Sequence, residues 1–118
     1  MTLDIALFVY GSLKAGFRHA DVLSGARRAG QAAAAPYTLV RYGSYPAMAP
    51  ASSGVVHGEI AFIDQRMLTL VDEFEDCPTS YQRHTIRLLD GRAAEAYLIS
   101  AEVARAYAVV PGGIWREA

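Results

Sequence analysis

The chain has 118 residues, of which 53% are hydrophobic and 19% charged, and a formal net charge of −1. That length suits a single domain spanning residues 1–118, and the apolar share excludes a disordered chain. A near-neutral charge with scattered basic residues excludes a surface built for nucleic acid or an anionic membrane and points to a small-molecule or protein partner.

The start, Met1-Thr2-Leu3-Asp4, lacks the basic and apolar regions of a signal peptide. No apolar stretch approaches the length of a membrane span, so a soluble, cytoplasmic protein is expected. Ile5-Ala6-Leu7-Phe8-Val9 is a continuous apolar run that breaks at Gly11, the pattern of a fully buried strand. Phe17 to Leu23 fits a short helix ended by Ser24-Gly25. A β-leaning stretch follows from Gln31 to Tyr42, and Gly43-Ser44-Tyr45-Pro46 then opens a loop through Pro50 to Gly54.

Val55 to Ile63 alternates as a strand. Asp64 is placed to cap a helix over Gln65 to Glu75, whose Met67, Leu68, Val71 and Phe74 make one apolar stripe. Cys77-Pro78 ends that helix, because the residue before proline is pushed out of the α region. Tyr81 to Leu89 and Ala93 to Ser100 read as strands joined at Asp90-Gly91, a strong hairpin signal. A short helical piece from Glu102 and a loop at Val110-Pro111-Gly112-Gly113 complete the chain. Strands outnumber helices, so the fold class expected is α+β, with a curved, mostly antiparallel sheet or small barrel.

Two segments carry candidate chemistry. Tyr10-Gly11-Ser12-Leu13 turns sharply after a buried strand. Glycine there permits positive φ and close backbone approach, and successive N–H groups in such a turn form a nest for a carboxylate or an oxyanion. An ordinary strand-to-helix turn has the same local signature. The second segment, Asp72-Glu73-Phe74-Glu75-Asp76, holds four carboxylates, normally a solvated helix end. Glu75, however, falls on the apolar stripe with Leu68 and Val71. Burial, the negative end of the helix dipole and neighbouring Asp72 and Asp76 would each raise its pKa, as general acid–base catalysis near neutral pH requires. A salt bridge from Arg83 or Arg66 is the other reading.

The remaining polar and aromatic residues carry less. Ser12 has neither a GxSxG context nor an evident histidine partner, which argues against a nucleophile. A lone Cys77 forms no internal disulfide and reads as a packed loop residue. His19, His57 and His84 lack ligand spacing, so no metal is expected. Tyr81 and Arg83 share one strand face and either line a pocket or pack at its rim. Tyr45 and Trp115 pose the same choice, and Glu59 reads as structural or as a group that supports the site from behind.

Taken together, the segments FVYGSLK (Phe8 to Lys14), GSYPAM (Gly43 to Met48), VVHGEI (Val55 to Ile60), VDEFEDCPTSYQR (Val71 to Arg83) and AYLI (Ala96 to Ile99) resemble the gamma-glutamylcyclotransferase-like superfamily, especially its gamma-glutamylamine cyclotransferase and AIG2-like branch. The closing Gly112-Gly113-Ile114-Trp115-Arg116 also looks like a family ending. The resemblance implies a small β-barrel core flanked by helices, with the site at the barrel mouth. It implies substrate binding by Tyr10, Gly11, Ser12 and Leu13, and a catalytic role for Glu75. The implied reaction cyclises a gamma-glutamyl amine or amide to 5-oxoproline and frees an amine, without metal or cofactor. A non-catalytic module binding a small acid or peptide end is the alternative on the same fold. Two positions depart from the family pattern: Val71 stands where leucine is usual, and Asp76 where glycine is common.

Overall fold

The computed structural model describes residues 2–117; Met1 and Ala118 lie outside them. Seven strands form one curled sheet: β1 (Ile5–Val9), β2 (Arg27–Ala34), β3 (Tyr37–Tyr42), β4 (Tyr45–Pro50), β5 (Val56–Ile63), β6 (Gln82–Arg87) and β7 (Ala93–Leu98). Helix α1 (Gln65–Phe74) lies between β5 and β6, and the short α2 (Ala101–Ala104) follows β7. The strand order is β2-β5-β1-β7-β4-β3, with β6 also on β7. Most pairings are antiparallel, as expected, but β7 runs parallel to both β1 and β4. The result is a barrel-like, open half-barrel carrying two helices.

The apolar run of β1 is continuous because both sheet faces are covered. Leu7 and Val9 pack into a cluster that contains Leu68 and Val71 of α1. Phe8 and Tyr10 point into a second cluster with Met48, Ile60, Leu98 and Trp115. Alternation along one strand thus feeds two cores. Gly58 allows β5 to lie tightly on β1, since a Cβ there would come 2.3 Å from the Val9 carbonyl oxygen.

Helix α1 starts as its sequence dictates: the Asp64 side chain accepts from the Met67 N–H at 2.8 Å. Its end comes one residue early, with Glu75 as the C-cap. Asp76 then takes φ 53°, a left-handed conformation that favours glycine and that aspartate tolerates. Its carboxylate accepts from the Ser80 hydroxyl at 2.8 Å. The hairpin at Asp90-Gly91 also forms, closed by the Gly91 N–H to the Leu88 carbonyl at 2.9 Å, with Gly91 at φ 92°.

Three local expectations are corrected. The segment expected as a single β-leaning stretch is two strands, divided at Ala35-Pro36, and β2 begins earlier, at Arg27. The loop expected from Gly43 to Gly54 is largely strand β4. Gly43 and Ser44 make a two-residue turn, with Gly43 at φ 66°, between the paired Tyr42 and Tyr45. Prolines fit in β4 because its even-numbered residues direct their polar groups away from β3. The Met48 N–H donates to the Tyr10 hydroxyl and its carbonyl accepts from Ile99, while the Pro46 carbonyl accepts from Tyr81. Pro46 and Pro50 occupy the same register and need no N–H there. The short helix expected over Phe17 to Leu23 is one 3-10 turn, Ala20–Leu23.

Candidate active site

Strand β7 changes its parallel neighbour part-way along, from β1 at Leu7–Glu95 to β4 at Met48–Leu98. Where β1 and β4 part, ladder groups are left to be satisfied. Tyr10 fills the gap: its hydroxyl donates to the Tyr97 carbonyl at 2.6 Å and accepts from the Met48 N–H at 3.2 Å. A cavity of about 180 Å³ opens beside it, lined chiefly by Phe8 to Leu13, Tyr45, Pro46, Phe74, Glu75, Tyr81 and Tyr97.

The structure therefore brings Tyr10, Gly11, Ser12, Leu13, Glu75 and Tyr81 to one cavity. Arg83 stands apart. It is bound by Asp72 through Nε at 2.9 Å and also by Glu95, and it is absent from the cavity wall. The Tyr97 hydroxyl donates to the same Asp72 carboxylate. Among the described residues, no ion pair reaches Glu75, so neither Arg83 nor Arg66 takes the salt-bridge role.

Glu75 is half-buried as a residue, but its carboxyl is enclosed, and burial raises its pKa from the ordinary 4.5 to about 7. The contributions expected from its acidic neighbours fall away: Asp72 is occupied by Arg83 and Tyr97, and Asp76 by Ser80. Phenols surround the carboxyl without solvating it. Tyr81 donates to the Pro46 carbonyl at 2.7 Å, while Tyr10 and Tyr97 donate to the partners above. Burial pushes all three phenols above their ordinary range, and the charge of Glu75 adds to the rise at each.

Gly11, Ser12 and Leu13 of the loop line the same space. Among the described residues, the N–H groups of Gly11, Ser12 and Leu13 donate to no protein acceptor. The loop is nevertheless held firmly from behind. Arg28 Nη1 donates to the Leu13 carbonyl at 2.8 Å, and Glu59 accepts from the Ala15 N–H at 2.8 Å. Arg28 and Glu59 are themselves 3.7 Å apart. The one-residue bulge between Arg28 and Gln31, with Gly30 at φ 91°, lies beside this clamp. Lys14 adds a tie to the C-terminal segment, donating to the Trp115 carbonyl at 2.8 Å.

Arg28 had no sequence signal, since nothing local links it to Leu13. His19 was also missed: its Nδ1 lies 3.1 Å from Ser12 Oγ, supplying the histidine neighbour that no motif announced. Tyr45 proves to be exposed at the cavity edge, Trp115 is buried core, and Cys77 is a half-buried packed thiol. Among the described residues, no cluster of three or more His, Cys, Asp or Glu side chains could hold a metal ion. No described helix is long and apolar enough to cross a membrane.

Similarity to known proteins covers the same elements. A gamma-glutamylaminecyclotransferase of Homo sapiens is 41% identical over 102 residues, spanning 76% of this chain and 67% of the human one. A putative gamma-glutamylcyclotransferase of Vibrio cholerae is 33% identical over 92% of this chain and 93% of its own length. The crystal structure of an AIG2-like protein from Mus musculus is 26% identical, with a TM-score of 0.79 over 97% of this chain and 95% of that one. The profile of the family described as gamma-glutamyl cyclotransferase, AIG2-like, matches residues 7–117, and the chain belongs to that enzyme family.

Proposed function

We propose that this protein converts a γ-glutamyl amine to 5-oxoproline and a free amine, with Glu75 as general acid–base and the Tyr10–Leu13 loop as the substrate-binding element. One observation carries the reading: an enclosed carboxyl with a pKa of about 7 lies in a small cavity lined by a loop whose Gly11, Ser12 and Leu13 N–H groups, among the described residues, donate to no protein acceptor. A relative 41% identical is a gamma-glutamylaminecyclotransferase, which supports the choice of substrate class.

The N–H groups of Gly11, Ser12 and Leu13 hold the substrate's α-carboxylate, as a backbone nest holds an anion. Glu75, as carboxylate, takes a proton from the substrate's α-ammonium group. The freed nitrogen attacks the γ-carbonyl carbon, closing a five-membered ring while the carbonyl electron pair moves onto oxygen. Collapse of that intermediate breaks the bond to the departing nitrogen, which Glu75 protonates. Over the cycle the α-nitrogen loses two protons and the departing nitrogen gains two, so one shuttling carboxyl returns to its starting state. A pKa near neutrality suits a group that must both accept and donate. Nucleophile and electrophile belong to one molecule, so the protein's main task is to fold the substrate into attack geometry.

The test is to incubate the protein with a panel of γ-glutamyl amines and quantify 5-oxoproline by mass spectrometry. Release from at least one member is expected. Binding without release across the panel would leave a non-catalytic binding module instead.

A further inference from the structure

We infer that the rim formed by Tyr45, Phe74 and His19 is the subsite for the departing amine, and that it selects amines carrying an aromatic ring. This rests on the γ-glutamyl chemistry proposed above. Among the residues lining the cavity, Tyr45 at 43% and Phe74 at 39% are the exposed ones. They mark the mouth. The cavity itself, about 180 Å³, is smaller than the roughly 300–1,000 Å³ of sites that enclose a drug-sized ligand. A γ-glutamyl head fills such a space, and whatever is attached to its amide nitrogen must pass Tyr45 and Phe74.

His19 turns those two side chains into one ledge. Its ring centroid lies 5.1 Å from that of Phe74, edge-on at 62°, and 6.1 Å from that of Tyr45. Its Nδ1 is 3.1 Å from Ser12 Oγ, and its backbone N–H donates to the Ser12 carbonyl at 3.0 Å. The ledge is therefore anchored to the loop that binds the substrate head, at the helix end that carries Glu75. Rings from three separate elements meet at the exit path, where offset or edge contact with a further ring is favourable.

Charge argues against the other common leaving group. Among the described residues, no lysine or arginine lines the cavity, and Glu75 is its one carboxyl. An amino acid leaving group would bring its own carboxylate close to the scissile nitrogen, with no cation to receive it. An ammonium-bearing amine is the remaining competitor, because cations also sit over ring faces. Beyond Glu75, which moves protons, the lining offers that ammonium no carboxylate partner.

Calorimetric binding to Glu75→Gln, which should leave the amides uncleaved, reads the subsite separately from catalysis. The ligands are γ-glutamyl phenethylamide, butylamide, 4-aminobutylamide and γ-glutamylalanine. Phenethylamide should bind at least about fivefold tighter than butylamide, with γ-glutamylalanine weakest. Adding Tyr45→Ala or Phe74→Ala, with folding checked by thermal melts, should bring the first two ligands within about twofold. Equal binding of phenethylamide and butylamide overturns the inference, as does tightest binding of the 4-aminobutylamide. A preference that survives both alanine variants, or no measurable binding of any amide, overturns it equally. If the ring preference holds but the wild type releases no 5-oxoproline, the subsite stands and the cyclisation reading falls.

Discussion

Replacing Glu75 by glutamine should make the protein more tolerant of alkaline pH while removing its proposed chemistry. Burial raises the Glu75 pKa from 4.5 to about 7, so the folded state favours the neutral acid. Below about pH 4.5 the carboxyl is protonated whether the chain is folded or not, and it contributes no pH dependence. Between about 4.5 and 7 the unfolded chain ionises freely while the folded one holds its proton, so stability falls as pH rises. Above about 7 the loss is complete, and it corresponds to about 3 kcal/mol. A loss of that size lowers the melting temperature of a domain this long by about 10 °C. Glutamine has nearly the same shape and no charge, so its stability should not follow this slope. Urea unfolding of both proteins from pH 5 to pH 8 gives the assay. The difference between the two should shift by about 2–3 kcal/mol in favour of glutamine over that range. Parallel pH profiles would refute the reasoning, because they would mean that the Glu75 carboxyl is as well solvated in the folded protein as in the unfolded chain.

The other predictions test the shell around that carboxyl. Gly11→Ala places a Cβ 2.6 Å from Pro46 Cγ; it should cost about 1–3 kcal/mol in unfolding experiments and reduce turnover, and wild-type values on both counts would remove the close-approach role of Gly11. Arg28→Ala removes the bonds to the Leu13 and Ala20 carbonyls; stability should fall by about 1–3 kcal/mol, and steady-state kinetics should show KM rising more than kcat falls. Arg83→Met leaves the Asp72 and Glu95 carboxylates without their cation; a stability loss of about 1.5–3 kcal/mol is expected. Its KM should stay within about threefold of wild type, and a tenfold rise would return Arg83 to the substrate site.

The parts of the fold that were legible carry local signals. Asp64 announces α1 because a cap needs one side chain and one N–H three residues on. Asp90-Gly91 announces its hairpin because the left-handed position is built into Gly91. Glu75 could be separated from Asp72, Glu73 and Asp76 because helical spacing alone puts it on the buried stripe. Strand β4 was hidden by its two prolines, whose compatibility with a strand depends on what lies beside them. Tyr10, Tyr81 and Ile99 provide that compatibility, and none of them is a sequence neighbour of β4. The Arg28–Leu13 and His19–Ser12 contacts were invisible for the same reason. Strand spacing left Arg83 between lining the pocket and packing at its rim, because spacing says nothing of Asp72 and Glu95, the carboxylates that hold its charge.

The role of Glu75 is tested most directly by measuring 5-oxoproline release from a reactive γ-glutamyl amine with wild-type protein and with Glu75→Gln, both shown to be folded. Removing a general acid–base should lower kcat/KM by about 10²–10⁴-fold, in a variant at least as stable as wild type near pH 8. A variant that retains activity within tenfold of wild type would contradict the account and place the proton transfers elsewhere.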